Sequence, residues 1–195
     1  MLIQYIIDSS PKNTSNGRGS WILHLEEKQV LRNGGKVESF FDWDTISQLR
    51  INFHRFAARN MPVDDDGLAI AFKPVRDGLI NSLSERFNKK FDDGNQDLFH
   101  FVYSQNKATD LIFADTILVT IDLLPEKSPY SSVVMRWGYM PTFADKSALV
   151  AKLGEMRAAK IDAITQELNK SRKGTKKVAK LEKDFKKTQK AITLC

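Results

Sequence analysis

Ten basic residues stand between Lys170 and Lys190, against two acids, Glu182 and Asp184. Within this segment Lys176, Lys180, Lys183, Lys187 and Lys190 recur at 4-3-4-3 spacing. Val178, Leu181, Phe185 and Ile192 keep a heptad seam beside them, with Thr188 in the missing position. The two rows are offset by two residues, about 200° at 3.6 residues per turn, so a helix here packs on one face and presents charge on the other. A row of lysines neutralises phosphates and releases their counterions, which gives sequence-independent, salt-sensitive affinity. Lysine is a point charge and reads bases poorly, so any specificity comes from elsewhere. Lys173, Lys176, Lys180, Lys183, Lys187 and Lys190 are therefore the expected nucleic-acid contacts. A solvated coiled-coil face or a subunit interface would use the same pattern.

Aspartates offer a second chemistry. Asp8, Asp42 and Asp122 each stand at or near the end of a strand-like run. In a parallel sheet, ligands bind beyond the carboxyl ends of the strands, so these three carboxylates would face one crevice. Oxygen-only ligands suit Mg²⁺ or Mn²⁺, which activates water on a phosphodiester. Between the first strand and the next element lies a polar loop, Ser9–Ser20. Its Ser10, Lys12, Asn13, Thr14, Ser15 and Asn16 supply hydroxyls and backbone N–H groups ahead of a helix, the makings of a phosphate loop; an ordinary polar connection reads the same way. Met135, Trp137 and Tyr139 share one face of a predicted strand, as core or as a platform for unpaired bases. His24, His54 and His100 have no zinc-ligand spacing. The single cysteine, Cys195, permits no intrachain disulfide.

Two resemblances attach to these residues. Tyr5–Ser10 (YIIDSS) is similar to the opening strand of PIN-type nuclease domains, and Asp110–Asp122 (DLIFADTILVTID) to their later acidic helix and strand. This resemblance implies Asp8, Asp110 and Asp122 as ligands of Mg²⁺. Residues 2–42 are similar to flavodoxin-like NADPH-dependent FMN reductases, whose phosphate loop would be built here from Ser9, Ser10, Lys12, Thr14, Ser15 and Asn16. That resemblance implies FMN as cofactor.

The elements that must position these groups are read from periodicity. Leu2–Ile7, Lys36–Asp42, Leu68–Phe72, Asp97–Ser104, Thr116–Leu123 and Val133–Met140 predict strands. Asp44–Asn60 predicts an amphipathic helix through Ile46, Leu49, Phe53 and Phe56, with Arg50, His54, Arg55 and Arg59 on its wet side. Val75, Leu79, Leu83, Phe87 and Phe91 predict another. Trp21–Asn33 reads as a helix capped by Gly34-Gly35, or as a hairpin turning at Asn33-Gly34. From Asp145 the chain reads as helix to about Asn169, a break at Gly174, and helix again over Thr175–Ile192. The expectation is an α/β domain over 1–144, with a mostly parallel sheet of flavodoxin- or Rossmann-like type, followed by a basic helical hairpin over 145–195.

Composition narrows the function classes. The 195 residues are 42% hydrophobic and 28% charged, which excludes wholesale disorder. No run approaches eighteen apolar residues, so no membrane span is expected. The basic segment carries +8 of a net +6, leaving −2 for the remaining residues; the basicity is a local device that suits an anionic partner. The expected function is a cytoplasmic, nucleic-acid-associated accessory subunit of a larger assembly, with other protein subunits as partners. A Mg²⁺-dependent PIN-like nuclease, a flavodoxin-like FMN reductase and a structural protein gripping an acidic partner are the alternatives.

Overall fold

Leu49, Ile51 and Phe53 alternate with Arg50 and Asn52, and in a computed structural model of the protein this period of two prevails: Gln48–Ala57 is a strand, β2. All three apolar side chains are fully buried on one face, which a helix could not arrange because positions two apart lie about 200° around its axis. The helix expected over Asp44–Asn60 is thus overturned. Its four apolar positions fitted a helical template only by coincidence with the alternating set. The strand also splits the basic patch expected there, putting Arg50 and His54 on one face and Arg55 on the other.

The structure describes residues 2–9, 29–30, 32–36, 46–58, 65–92, 94, 97–126, 134–137, 141–170 and 176–193. The strand expected over Lys36–Asp42 lies outside them from residue 37 onward. Helix α1 runs Asp65–Phe87 and absorbs Leu68–Phe72, expected as a strand. Leu68, Phe72, Val75, Leu79 and Leu83 form one buried row along it. Pro74 sits inside this helix at the cost of one N–H donor; burial of the row on both sides of it outweighs that local loss. The other strands are β1 (Leu2–Ile7), β3 (Phe99–Lys107), β4 (Thr116–Leu124) and β5 (Val134–Trp137).

Their order in the sheet is β1-β4-β2-β3-β5. β2 and β3 pair in parallel, as do β3 and β5, whereas β4 runs antiparallel to both β1 and β2. The sheet is therefore mixed, and the mostly parallel flavodoxin- or Rossmann-like arrangement is not formed. A parallel neighbour needs a crossover of a dozen or more residues. Helix α1 provides one between β2 and β3. The link from β3 to β4 is only residues 108–115, with the single 3₁₀ turn Leu111–Phe113, and β4 returns along the far side of β2 in the opposite sense.

One face of the sheet carries the main core. Ile3, Ile7, Leu49, Ile51, Phe53, Phe99, Phe101, Tyr103, Ile117, Val119 and Ile121 meet the apolar row of α1. Phe53 stacks on Phe72 at 5.5 Å and on Tyr103 at 5.8 Å between ring centroids. A helical stretch ends at Gly34, with the Gly35 amide bonded back to the Arg32 carbonyl. Here two backbones touch without side chains between them. A Cβ on Gly78 of α1 would collide with the Arg32 carbonyl oxygen, and one on Gly35 with the Val75 carbonyl. Gly→Ala inside a helix ordinarily stabilises by about 1 kcal/mol. At Gly78 the sign reverses: Gly78→Ala is expected to destabilise by about 1–3 kcal/mol through overpacking, seen as a lower urea midpoint.

The chain divides into two compact units, Met1–Thr109 with Phe113–Ala144, and Asp110–Ile112 with Asp145–Cys195. In the first, Gln4 mimics a backbone: its Nε2 donates to the Thr142 carbonyl at 2.8 Å and its Oε1 accepts the Ala144 amide at 2.7 Å. The second is built on α2 (Lys146–Lys170) and α3 (Lys176–Ile192), which pack against each other. Asp145 caps α2, its Oδ1 accepting the Ala148 amide at 2.9 Å.

Candidate nucleic-acid interface

Helix α3 has the two faces that its sequence implies. Val178, Leu181, Phe185 and Ile192 are half-buried and Thr188 is buried, while Lys180, Lys183, Lys186, Lys187 and Lys190 are exposed. Thr188 fits an apolar seam because its Oγ1 donates to the Asp184 carbonyl one turn back, at 2.8 Å, leaving its methyl to pack. Lys176 opens the helix; Lys173 lies outside the described residues. From Lys180 to Lys190 the charged row spans about 15 Å along the axis.

What braces this row is a residue that periodicity does not single out. Arg157 of α2 falls in line with Leu149, Leu153 and Ile164, and only 2% of it is exposed. Its Nη2 donates to the Ile112 carbonyl at 2.9 Å and its Nη1 to the Ala191 carbonyl at 3.1 Å. Ala191 lies in the last turn of α3, the negative end of that helix's dipole, where a cation is favoured. The guanidinium fork suits two carbonyls in divergent directions, which an ammonium cannot span. An arginine in an apolar row was the available signal.

The carboxylates do not gather. Because β4 runs against β1, its carboxyl end lies at the opposite end of the sheet from that of β1. Leu2 pairs with Asp122 and Ile7 with Ile117, so Asp8, one step beyond Ile7, stands roughly 20 Å along the ladder from Asp122. Asp122 has Arg50 across the ladder, 4.0 Å away. Asp110 accepts Lys146 Nζ at 2.8 Å, and that contact, ahead of the amide of Ile112, holds its carboxyl below the usual carboxylate range. Among the described residues no group of three or more His, Cys, Asp or Glu could hold a metal ion. Asp42 and the loop residues Ser10, Lys12, Asn13, Thr14, Ser15 and Asn16 lie outside the described residues. Of the platform expected on Met135, Trp137 and Tyr139, the structure describes strand β5 as far as Trp137.

A polar cluster that the helical reading of β2 concealed lies on the sheet face opposite α1. His54 pairs with Ser104 across β2 and β3. Its Nδ1 is 2.7 Å from Ser104 Oγ and its Nε2 3.0 Å from Asn106 Oδ1, while Ser104 Oγ donates to Asn52 Oδ1 at 3.0 Å. Burial pushes the imidazole pKa down to about 4, with the Asn106 contact pulling the other way, so the ring is neutral near pH 7. A hydroxyl beside an imidazole is the pattern of an activated nucleophile, yet Ser104 and His54 are both fully buried. Closed to solvent, the cluster instead locks the register of β2 on β3, since a slip would leave buried polar atoms without partners. Read as strands, the alternating Asn-x-His and Ser-x-Asn would have revealed it.

No helix among the described residues is long and apolar enough to cross a membrane. Compared with protein families, with curated proteins and with solved structures, the chain finds no match.

Proposed function

We propose that the protein is a nucleic-acid-associated accessory subunit that works in the cytoplasm within a larger assembly and grips the phosphate backbone through α3. The observation that carries this reading is the exposed row Lys180, Lys183, Lys187 and Lys190, set opposite a seam that is packed on α2. The segment from Lys170 to Lys190 holds ten basic residues against two acids, and a net positive charge of this density attracts an anionic partner. The lone cysteine accords with a reducing compartment.

Fluorescence anisotropy of the full chain with labelled nucleic acid, across a salt series, tests this. Four phosphate contacts predict a log–log slope near −3.6, which is about a 150-fold loss of affinity between 50 and 200 mM salt. Replacing Lys180, Lys183, Lys187 and Lys190 together by Gln is expected to remove most of that slope while circular dichroism stays unchanged, because Gln and Lys have similar helix propensity. Absence of binding at 50 mM salt would refute the proposal and leave α3 as a docking face for an acidic protein.

A further inference from the structure

Resting on that reading, we infer that the ligand of the α3 row is a nucleic-acid duplex, held by its backbone without regard to sequence, and not a single strand. Proteins that hold single strands combine positive charge with aromatic side chains on which the bases stack. Phe185 is the one aromatic residue in the sequence from 145 to 195, and it is half-buried in the seam beside Leu181 and Thr188. The second unit therefore offers charge with no stacking platform.

The geometry of the row favours a partner that is already ordered. Its lysines repeat along α3 for about 15 Å. Over that length a duplex presents about nine phosphate charges, and one of its strands alone about four. The duplex is also stiff on a scale far longer than this helix, so its phosphates need no ordering when they meet the lysines. A single strand must be straightened, with no stacking to offset that loss. Lysine lacks the fork that recognises a base edge, and Arg157, the arginine of α2, is buried against carbonyls. Discrimination among sequences is thus absent from this face.

The test uses the full chain with two 20-base-pair duplexes of unrelated sequence, each as DNA and as RNA, together with their separated strands, by anisotropy at 100 mM salt. The expected result is duplex binding about 10-fold or more tighter than either strand. The two sequences should agree within about two-fold, and the Lys→Gln variant at 180, 183, 187 and 190 should abolish the difference. A preference between DNA and RNA would identify which duplex is the better ligand and leave the inference standing. Single strands bound as tightly as duplexes, in a manner still lost in the lysine variant, would overturn the duplex inference and leave the phosphate reading intact. Single-strand binding that survives the lysine variant and disappears in Trp137→Ala would overturn both and move the contact to β5. Binding of none of the probes would also overturn both.

Discussion

Arg157→Ala is expected to destabilise the second unit by about 3–5 kcal/mol, the largest effect of any single substitution considered. The side chain is buried in α2 and donates to carbonyls of Ile112 and Ala191. Its removal orphans both acceptors, at about 1–3 kcal/mol each, and leaves a cavity where the long stem had packed. Arg157→Lys keeps the charge but reaches one carbonyl at a time, and should recover about half of the loss. Arg157→Met fills the space without donating, which separates packing from hydrogen bonding. Unfolding followed by circular dichroism gives the size of the effect. Hydrogen exchange over residues 146–192 shows where it falls, since two units need not unfold together. An unchanged exchange pattern in Arg157→Ala would show that the clamp carries no weight. The expected loss also weakens phosphate binding, because the lysine row depends on α3 being held on α2.

The second large effect is acid sensitivity traced to His54. In the unfolded chain the imidazole titrates at its ordinary 6.5, and in the folded protein burial brings it down to about 4. Between these values the unfolded state binds a proton that the native state refuses, so stability falls as pH drops from 6.5 toward 4. Above 6.5 the ring is neutral in both states and contributes no slope. The full window amounts to about 3 kcal/mol, at 1.36 kcal/mol per pH unit. His54→Gln keeps an amide that can reach its neighbours and cannot titrate. It should be less stable than the parent at pH 7 yet lose far less on going to pH 5. Urea midpoints at pH 7, 6 and 5 read this directly, and parallel pH profiles for the two proteins would acquit His54. Asp110 changes in a lower window: its depressed carboxyl keeps Lys146 as a partner until the pH falls below the ordinary carboxylate range.

These two residues mark the line between what local sequence encodes and what it does not. The faces of α3 are legible because a helix brings residues three and four apart together whatever lies around it. Val178, Leu181 and Phe185 can be assigned to a seam, and Lys180, Lys183 and Lys187 to the opposite face, before any neighbour is known. The runs Leu2–Ile7 and Thr116–Leu123 are legible for a similar reason, being apolar, β-branched and bounded by polar residues.

Residues 44–60 carry two patterns at once. Ile46, Leu49, Phe53 and Phe56 satisfy a helix, and Leu49, Ile51 and Phe53 satisfy a strand. The choice was made by β3 on one side and β4 on the other, which complete the hydrogen bonds of β2 along its length. The Leu68–Phe72 run was settled in the same way: it joins a buried row of α1 that continues past Pro74 onto the sheet. The direction of β4 has no local signature, since a strand's side-chain pattern reads the same in either sense. Its insertion between β1 and β2 placed Asp8 and Asp122 at opposite ends of a ladder, while the parallel pairing of β2 with β3 brought His54 beside Ser104. Side-chain faces follow from spacing within one element, whereas strand direction and strand neighbours follow from hydrogen bonds between residues far apart in the chain, and the arrangement of the carboxylates and of the buried histidine depended on the latter.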